Sequence, residues 1–432
     1  MVAYREQYRP LTQRTMETYQ TQYLARKFDF TKESRIARMI VQSVNEMMDR
    51  EEHALAIERV KPFELYIDHS NRSLRLPLFK PEYLEPLYRG ETFASARRYI
   101  RTTCLKRLRL ILPSATESDL LRFIDPWALC RRTGPVRYSD TLLQTPIPYD
   151  EQASAEWKRM IDAIQPPSIE ARMSTPDVSA PVSQIHALAG QIASETGLGM
   201  RVCRHLVEEL ILLRNICCPR TNQLISGQMP LVVTHVRAHL SEETATEFRR
   251  HTPVVVSVWS PGEKKSRPEN TGACLQVLKK RMVRVCFEAY RQNGLLSLQE
   301  LQWIFQISTA RISELLRSVQ QEAHIIVPTP GTVLDAGKSL THKDIIVRLH
   351  LQGYDVKEIC RMTYHSPKAV DNYIGTFEAV LILKLYQVAP VLMARILNKG
   401  PSLVQEYLEL IDQYYPDVHQ IKHFLQKKGV NI

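Results

Sequence analysis

The sequence predicts a mostly α-helical fold with a minor β component, an α+β architecture, from three observations. Apolar residues recur at helical spacing over most of the 432 residues. Two regions, residues 61–79 and 229–259, contain alternating or β-branched runs of strand length. The C-terminal third contains two groups of short helices joined by tight turns. A chain of this length can form two to four domains with their own cores.

Residues 1–164 are predicted to form an N-terminal α+β domain. Two amphipathic helices occupy the first 60 residues, with the apolar side chains of residues 36–48 on an inner face. Residues 61–79 alternate around a turn and predict a β-hairpin. A helix at residues 92–112 carries six unbalanced Lys and Arg side chains. We expect that basic face to be solvated, to contact an acidic partner or to lie against phosphates.

The next segments are predicted to be a linker and an α/β middle domain. Residues 165–181 contain four prolines and little apolar periodicity, which predicts a Pro-rich linker. Residues 182–260 begin with two amphipathic helices joined at residues 197–199, an αα-hairpin. Two β-branched runs then flank SEETATEFRR, which predicts a β-α-β unit. Residues 261–271 are polar and proline-broken, and they predict a second linker.

Residues 272–337 contain a first group of short helices. Ser308 is placed to cap a helix whose buried stripe begins at Ile312, and residues 325–327 and 333–334 are expected to pair as two strands. This arrangement resembles a winged-helix domain, with the strand pair as its wing. In such domains the capped helix enters the major groove and the wing contacts the backbone, although some winged helices contact protein instead. Opposite the buried stripe, Arg311 and Arg317 are expected to contact phosphates. The resemblance also makes Thr309 and Ser313 candidate neutral donors to DNA.

Residues 338–432 contain a second group of helices. Gly353 ends a first helix, Asp355 begins a second, and after a turn Ser366 is placed to cap a third helix with Pro367 at its first position. The spacing predicts a helix-turn-helix, followed by further C-terminal helices. The pattern resembles the DNA-binding segment of LuxR/FixJ regulators and of sigma-factor region 4. The matching residues are Gly353, Asp355, Glu358, Ile359, Cys360, Thr363, Ser366, Ala369 and Val370.

The third helix of this group is expected to be the main reader of DNA. With Val370, Ile374 and Phe377 facing inward, its outward face carries the candidate contacts. Residues 295–412 also resemble a prokaryotic family of unassigned function that carries the two groups in this order. That likeness brings no activity with it. The candidate DNA-binding residues on this helix are Ser366, Lys368, Asp371 and Asn372.

Composition and charge agree with an intracellular DNA-binding protein. Lys and Arg number 57 against 46 acidic residues, so the net charge is +11 and favours a polyanionic partner, here double-stranded DNA. No run of eighteen apolar residues and no signal-peptide core occurs, which predicts a cytoplasmic protein with no membrane partner. The eight cysteines form no C-x-x-C pair and are expected to be reduced thiols.

Motifs for catalysis are absent from the sequence, so no catalytic, cofactor-binding or metal residue is predicted. There is no P-loop, no G-x-G-x-x-G and no G-x-S-x-G. His235 and His239 are four residues apart but lack the Glu of H-E-x-x-H, so they are interpreted as ordinary histidines. Carboxylates from distant strands could nevertheless assemble a metal nuclease.

The sequence therefore predicts a sequence-specific DNA-binding protein, with transcription regulation as the leading role. A mobile-element or replication accessory protein with possible nuclease chemistry is one alternative, and a protein-interaction scaffold is another. The amphipathic helices at residues 36–48 and 202–213 supply either a homodimer interface or a core within one chain.

Overall fold

The computed structural model describes most of the chain, and it confirms a mostly α-helical protein with two small β-sheets. None of the helices in the described part is long and apolar enough to cross a membrane. The described residues are 8–28, 34–69, 72–121, 123–124, 151–167, 181–238, 251–260, 263, 271–323, 325–334, 341–365 and 367–427.

Four N-terminal and middle helices pack around one core, as their apolar periodicity predicts. They bury the inner faces that the sequence offered for a homodimer, including Ile40, Val44 and Leu206, against each other within one chain. Gly197 ends the third of these helices in the left-handed region, at φ +70°, which confirms the αα-hairpin. The homodimer stays a prediction. The four helices are α1 Met16–Lys27, α2 Ser34–Ala54, α7 Val182–Thr196 and α8 Met200–Cys217.

The hairpin predicted at residues 61–79 is confirmed. Its strands, β1 Glu64–His69 and β2 Arg72–Pro77, are antiparallel. The predicted basic helix, α4 Phe93–Ile111, packs on β2, and Arg107 Nη1 donates to the Arg75 carbonyl oxygen at 2.9 Å. Short helices complete this part of the fold: α3 Glu85–Tyr88, α5 Glu117–Leu121 and α6 Glu151–Asp162, with a 3-10 turn at Pro81–Leu84.

The second sheet corrects the predicted β-α-β unit. Strands β3 Gln228–His235 and β4 His251–Ser257 are antiparallel neighbours, whereas a β-α-β unit requires parallel strands. The helix expected between them lies outside the described residues. β-branched runs specify extended structure and burial but not strand direction, so the sequence signal could not separate the two topologies.

A short third strand joins this sheet to the following helices. Strand β5, Gly294–Leu295, pairs with the end of β3, between α9 Thr271–Arg291 and α10 Leu298–Phe305. We call α10 together with α11, Thr309–Ala323, the inner unit. Helix α6 packs against α11 and α9, and Ser154 Oγ donates to the Ala323 carbonyl oxygen at 2.7 Å.

The predicted wing does not form. Residues 325–329 run without strand pairing, and residues 330–333 form a helical turn, α12 Pro330–Val333, instead of a returning strand. The β-branched side chains are buried as connectors, with Ile326 in the core of the next group of helices.

The last part of the chain is wholly helical where it is described. Helices α13 Thr341–Leu351, α14 Val356–Thr363 and α15 Pro367–Leu385 form the outer unit. Its small core contains Ile346, Ile359 and Val370. Three further helices pack around the second half of α15. They are α16 Pro390–Ile396, α17 Pro401–Tyr414 and α18 Val418–Lys427.

Burial and cysteine state qualify two sequence predictions. One hydrophobic core contains side chains from residues 8–164, from β3 and β4 and from the inner unit. It therefore joins segments that precede and segments that follow the predicted linker at 165–181. The domain boundaries stay predictions. Six of the described cysteines are free thiols. Cys274 is disulfide-bonded, so the prediction of eight reduced thiols is wrong at that position.

Candidate nucleic-acid interface

The inner unit consists of two helices joined by a tight turn. Ser297 caps α10, because its hydroxyl accepts from the Glu300 backbone N–H while the Glu300 carboxylate accepts from the Ser297 backbone N–H at 2.6 Å. This reciprocal pair is a capping box. Gln306 adopts the left-handed conformation, at φ +56°, nine residues after the cap. Helix α11 begins at Thr309, twelve residues after the cap.

The outer unit repeats this geometry at the same spacing. Asp355 and Glu358 form the capping box of α14, with 2.7 Å from the Glu358 backbone N to Asp355 Oδ1. Tyr364 is left-handed, at φ +60°, again nine residues after the cap, and α15 begins at Pro367, twelve residues after the cap. In both units, the helix after the turn therefore begins at the same distance from the cap of the helix before the turn. These helices after the turn are α11 in the inner unit and α15 in the outer unit.

The buried positions of α11 and α15 correspond as well. An offset of 58 residues, the distance between the caps Ser297 and Asp355, relates the two units. With that offset, the buried residues Ile312, Leu316 and Val319 of α11 correspond to Val370, Ile374 and Phe377 of α15. The outward positions must correspond for the same reason, since both helices bury the same face.

The outward face of α15 carries polar side chains in open solvent. Lys368, Asp371 and Asn372 are exposed, and Gly375 is exposed in line with them. The side chains of Lys368 and Asn372 therefore lie where the sequence predicted. Ser366, the predicted cap, lies outside the described residues.

One cation beside this face is missing from the sequence prediction. Lys399, in the loop between α16 and α17, donates from Nζ to Asn372 Oδ1 at 3.3 Å. No local pattern predicts this contact, since Lys399 is 27 residues from Asn372. The exposed side chains of Lys357 and Arg361 on α14 add positive charge to the same unit.

The inner unit presents its predicted contacts less openly. Arg317 is exposed on α11, whereas Thr309 and Ser313 are half-buried. Arg311 pairs with Glu314, and its side chain is only 14% exposed. Arg311 is therefore less open to solvent than Arg317, and its contact with phosphate stays a prediction.

The correspondence between the units explains the partial burial of Arg311. Arg311 matches Ala369, which is half-buried at the edge of the packed face of α15. The α11 positions that match the outward face of α15 are Ala310, Ser313, Glu314 and Arg317. The capping residues of both units are visible in the sequence, so aligning them would have identified this edge position.

The inner unit is also embedded in the rest of the protein. Glu300 is fully buried and pairs with Arg14, which is itself 5% exposed. Burial raises the pKa of the Glu300 carboxyl, although Arg14 and the backbone N–H and hydroxyl of Ser297 oppose that rise. Trp303 is fully buried, and the centroid of its ring lies 5.1 Å from that of Phe79 and 5.2 Å from that of Phe93.

The outer unit contacts helix α9, which precedes the inner unit. Tyr364, at the turn of the outer unit, packs against Tyr290 and Phe287 of α9, with ring centroids 4.8 and 6.0 Å apart. Burial raises the pKa of Tyr364 to about 12, so the phenol stays neutral in this contact. The turn that positions α15 is thus held against the helix that precedes the inner unit.

Comparison with known proteins assigns the chain to a family. The family described as "Protein of unknown function (DUF1670)" matches residues 195–410, half of the 432 residues. The chain belongs to the DUF1670 family. The DUF1670 match begins at the end of α7 and runs into α17, so it contains the second sheet and both units. The chain matches no curated protein and no solved structure.

Outside these two units, the described residues contain no group of three or more His, Cys, Asp or Glu side chains that could hold a metal ion. His235 stands at the end of β3, where its Nδ1 accepts from the Arg237 backbone N–H at 3.0 Å. His239, the second histidine of the pair seen in the sequence, lies outside the described residues.

Proposed function

We propose that this protein binds double-stranded DNA sequence-specifically through the outer unit, with α15 as the helix that enters the major groove. The observation that carries the proposal is the division of α15 into two halves. Its first half exposes Lys368, Asp371 and Asn372, and its second half is fixed by Phe377 and Val380 in a core with α17 and α18. A helix-turn-helix reads bases with the N-terminal residues of its recognition helix, so an open first half and an anchored second half suit that task.

The side chains on the open half have the chemistry of base recognition. A lysine can donate to the O6 and N7 acceptors of guanine, and an asparagine can bond adenine N6 and N7 with both ends of its amide. Asp371 can accept from cytosine N4. Lys399 already contacts Asn372, so it orients that amide and places a cation where a phosphate would lie.

The inner unit is given a smaller part in this proposal. Arg317 is exposed and can contact one phosphate, but Arg311 is occupied by Glu314. Because α6 packs on α11 and Arg14 pairs with Glu300, most of this unit serves as a support, and helix α9, which precedes it, holds the outer unit through Tyr364. The same covering of α11 favours a second candidate role for the inner unit, contact with protein. The leading biological role is transcription regulation.

Selection from a library of random duplexes with the full-length protein tests the proposal. We expect enrichment of one sequence family, and we expect a variant in which Lys368 and Asn372 are both alanine to lose that enrichment while it keeps its thermal midpoint. A selected palindrome would support a homodimer. Failure to enrich any sequence at low salt, where phosphate contacts are strongest, would exclude sequence-specific DNA binding by this chain.

A further inference from the structure

A cavity of about 200 Å³ opens at the junction of α1, the base of the β1–β2 hairpin and the end of α8. Its apolar wall is formed by Leu11, Met16, Phe63 and Phe79, with the two phenyl rings 5.2 Å apart. The volume is that of roughly seven water molecules, so the cavity admits a small metabolite and not a nucleotide or a peptide.

The remaining lining is strongly positive. Lys61 and Lys80 stand on either side of the hairpin base, and neither ammonium group has an ion pair or hydrogen bond within the described part of the chain. Cations gathered in a cleft raise the local potential and attract an anion. The charged side chains that line the cavity are Arg14, Arg59, Lys61, Lys80 and Arg214 against Glu17 and Asp49.

Arg14 provides a second, independent observation about this cavity. Its Nη1 pairs with Glu300 and its Nη2 donates to Thr234 Oγ1 at 3.0 Å. Its Nε is buried without a hydrogen-bond partner, although the side chain lines the cavity. A buried N–H of a charged group is costly to leave unmade, and an anionic oxygen in the cavity would satisfy it.

We propose that this cavity binds a small organic anion, a carboxylate or phosphate monoester attached to an apolar body. The Nε of Arg14 and the ammonium groups of Lys61 and Lys80 hold the charged group. The apolar body packs against Phe63 and Phe79. Arg59 and Arg214 are held by Glu52, so they contribute to the field of the site and not to direct contact. This site does not depend on DNA binding.

Occupancy of the cavity is transmitted to the inner unit. Two of its lining side chains also contact α10: Arg14 pairs with Glu300 in the first turn, and Phe79 contacts Trp303 at 5.1 Å. An anion that fixes Arg14 and Phe79 therefore restricts α10. Ligands that rigidify one contact of a helix slow the opening of its backbone hydrogen bonds.

Calorimetric titration of the full-length protein tests binding, with phenyl phosphate, benzoate and the neutral benzamide as probes. We expect saturation by phenyl phosphate, by benzoate or by both, which identifies the preferred charged group, and at least tenfold weaker binding of benzamide. The double variant Lys61→Gln with Lys80→Gln should weaken the anion at least tenfold. Lys106→Gln with Lys158→Gln, the same change at two exposed lysines outside the cavity, should not.

Three results would overturn the anion site. They are no saturation by either aromatic anion up to about 10 mM, equal binding of benzamide, or equal weakening by both double variants. Amide hydrogen exchange tests the transmission separately. With the bound anion, exchange should slow in α10 and stay unchanged in α17, and unchanged exchange in α10 at saturation would refute the link to the inner unit.

Discussion

The inner and outer units share one geometry but are placed in opposite environments. In both, a helix that starts with a capping box is followed by a turn with one left-handed residue, and the next helix starts twelve residues after the cap. In the inner unit the capping carboxylate of Glu300 is fully buried and pairs with Arg14, whereas Glu358 of the outer unit is exposed. Local chemistry therefore builds both turns, and long-range packing decides which of them keeps an open face.

The largest expected difference between the units concerns these two carboxylates. Glu300→Ala should lower the free energy of unfolding by about 3–5 kcal/mol, because it leaves Arg14 as a buried unpaired charge. Glu358→Ala should cost only about 0.5–1 kcal/mol, the value of an exposed cap. Urea unfolding of both variants measures the contrast. Replacing Arg14 with Met and Glu300 with Leu together should recover most of the loss, and equal losses in the two single variants would remove the contrast between the units.

A smaller effect should appear in the pH dependence of stability, and it arises from Glu288 on helix α9. Burial raises the pKa of Glu288 on α9 to about 7, although its carboxylate accepts from the Ser257 backbone N–H at 2.5 Å. A carboxyl whose pKa is raised by folding stabilises the protein fully below pH 4.5, and this contribution is lost as pH rises to 7. The shift corresponds to about 3 kcal/mol.

Glu288→Gln isolates this contribution, because the amide does not titrate. The unfolding free energy of the wild type, minus that of Glu288→Gln, should fall by about 3 kcal/mol between pH 4.5 and 7 and stay level above that range. Urea unfolding at a series of pH values measures the difference. A difference that rises with pH would mean that Glu288 is stabilised as the ion.

The open face of the outer unit should determine DNA affinity. Lys368→Ala with Asn372→Ala should weaken binding to a selected duplex by about 1–3 kcal/mol for each lost base contact. Fluorescence anisotropy measures the affinity. Lys422→Ala with Gln420→Ala makes the matched change on the exposed face of α18 and should leave affinity unchanged. If the two double variants bind equally well, α15 is not the reader.

The smallest expected effect separates two arginines of the inner unit. Arg317→Gln should reduce the slope of log K against log salt by about one unit, because it removes one exposed phosphate contact. Arg311→Gln should leave the slope unchanged, since Glu314 already neutralises that side chain. Equal reductions by the two variants would show that Arg311 leaves Glu314 when DNA binds.

Local signals predicted the outer unit well. Asp355 as a cap and Pro367 at a first helical position are determined by nearby backbone chemistry, and both lie where expected. The antiparallel hairpin at residues 64–77 was equally accessible, because its alternation and its turn are local. Long-range features were not accessible, such as the contact of Lys399 with Asn372.

The predicted wing failed for a related reason. The apolar run at residues 325–327 signals burial, but a strand needs a partner, and the expected partner at residues 333–334 lies at the end of the helical turn α12 instead. Arg311 lies at the edge of the packed face of α11, where a helical wheel cannot decide exposure.

The pairing of Arg14 with Glu300 has a consequence for the synthesis of the chain. The two residues are 286 positions apart, so at about 5–20 residues per second the ribosome releases Arg14 roughly 15 to 60 seconds before its partner is made. Tyr8 and Phe79 are likewise synthesised well before Trp303, the residue whose ring they contact in the folded protein. During this interval the N-terminal segments carry an unmatched charge and uncovered rings. We expect nascent chains that end before α10 to be bound by chaperones and released from them once the inner unit has been synthesised.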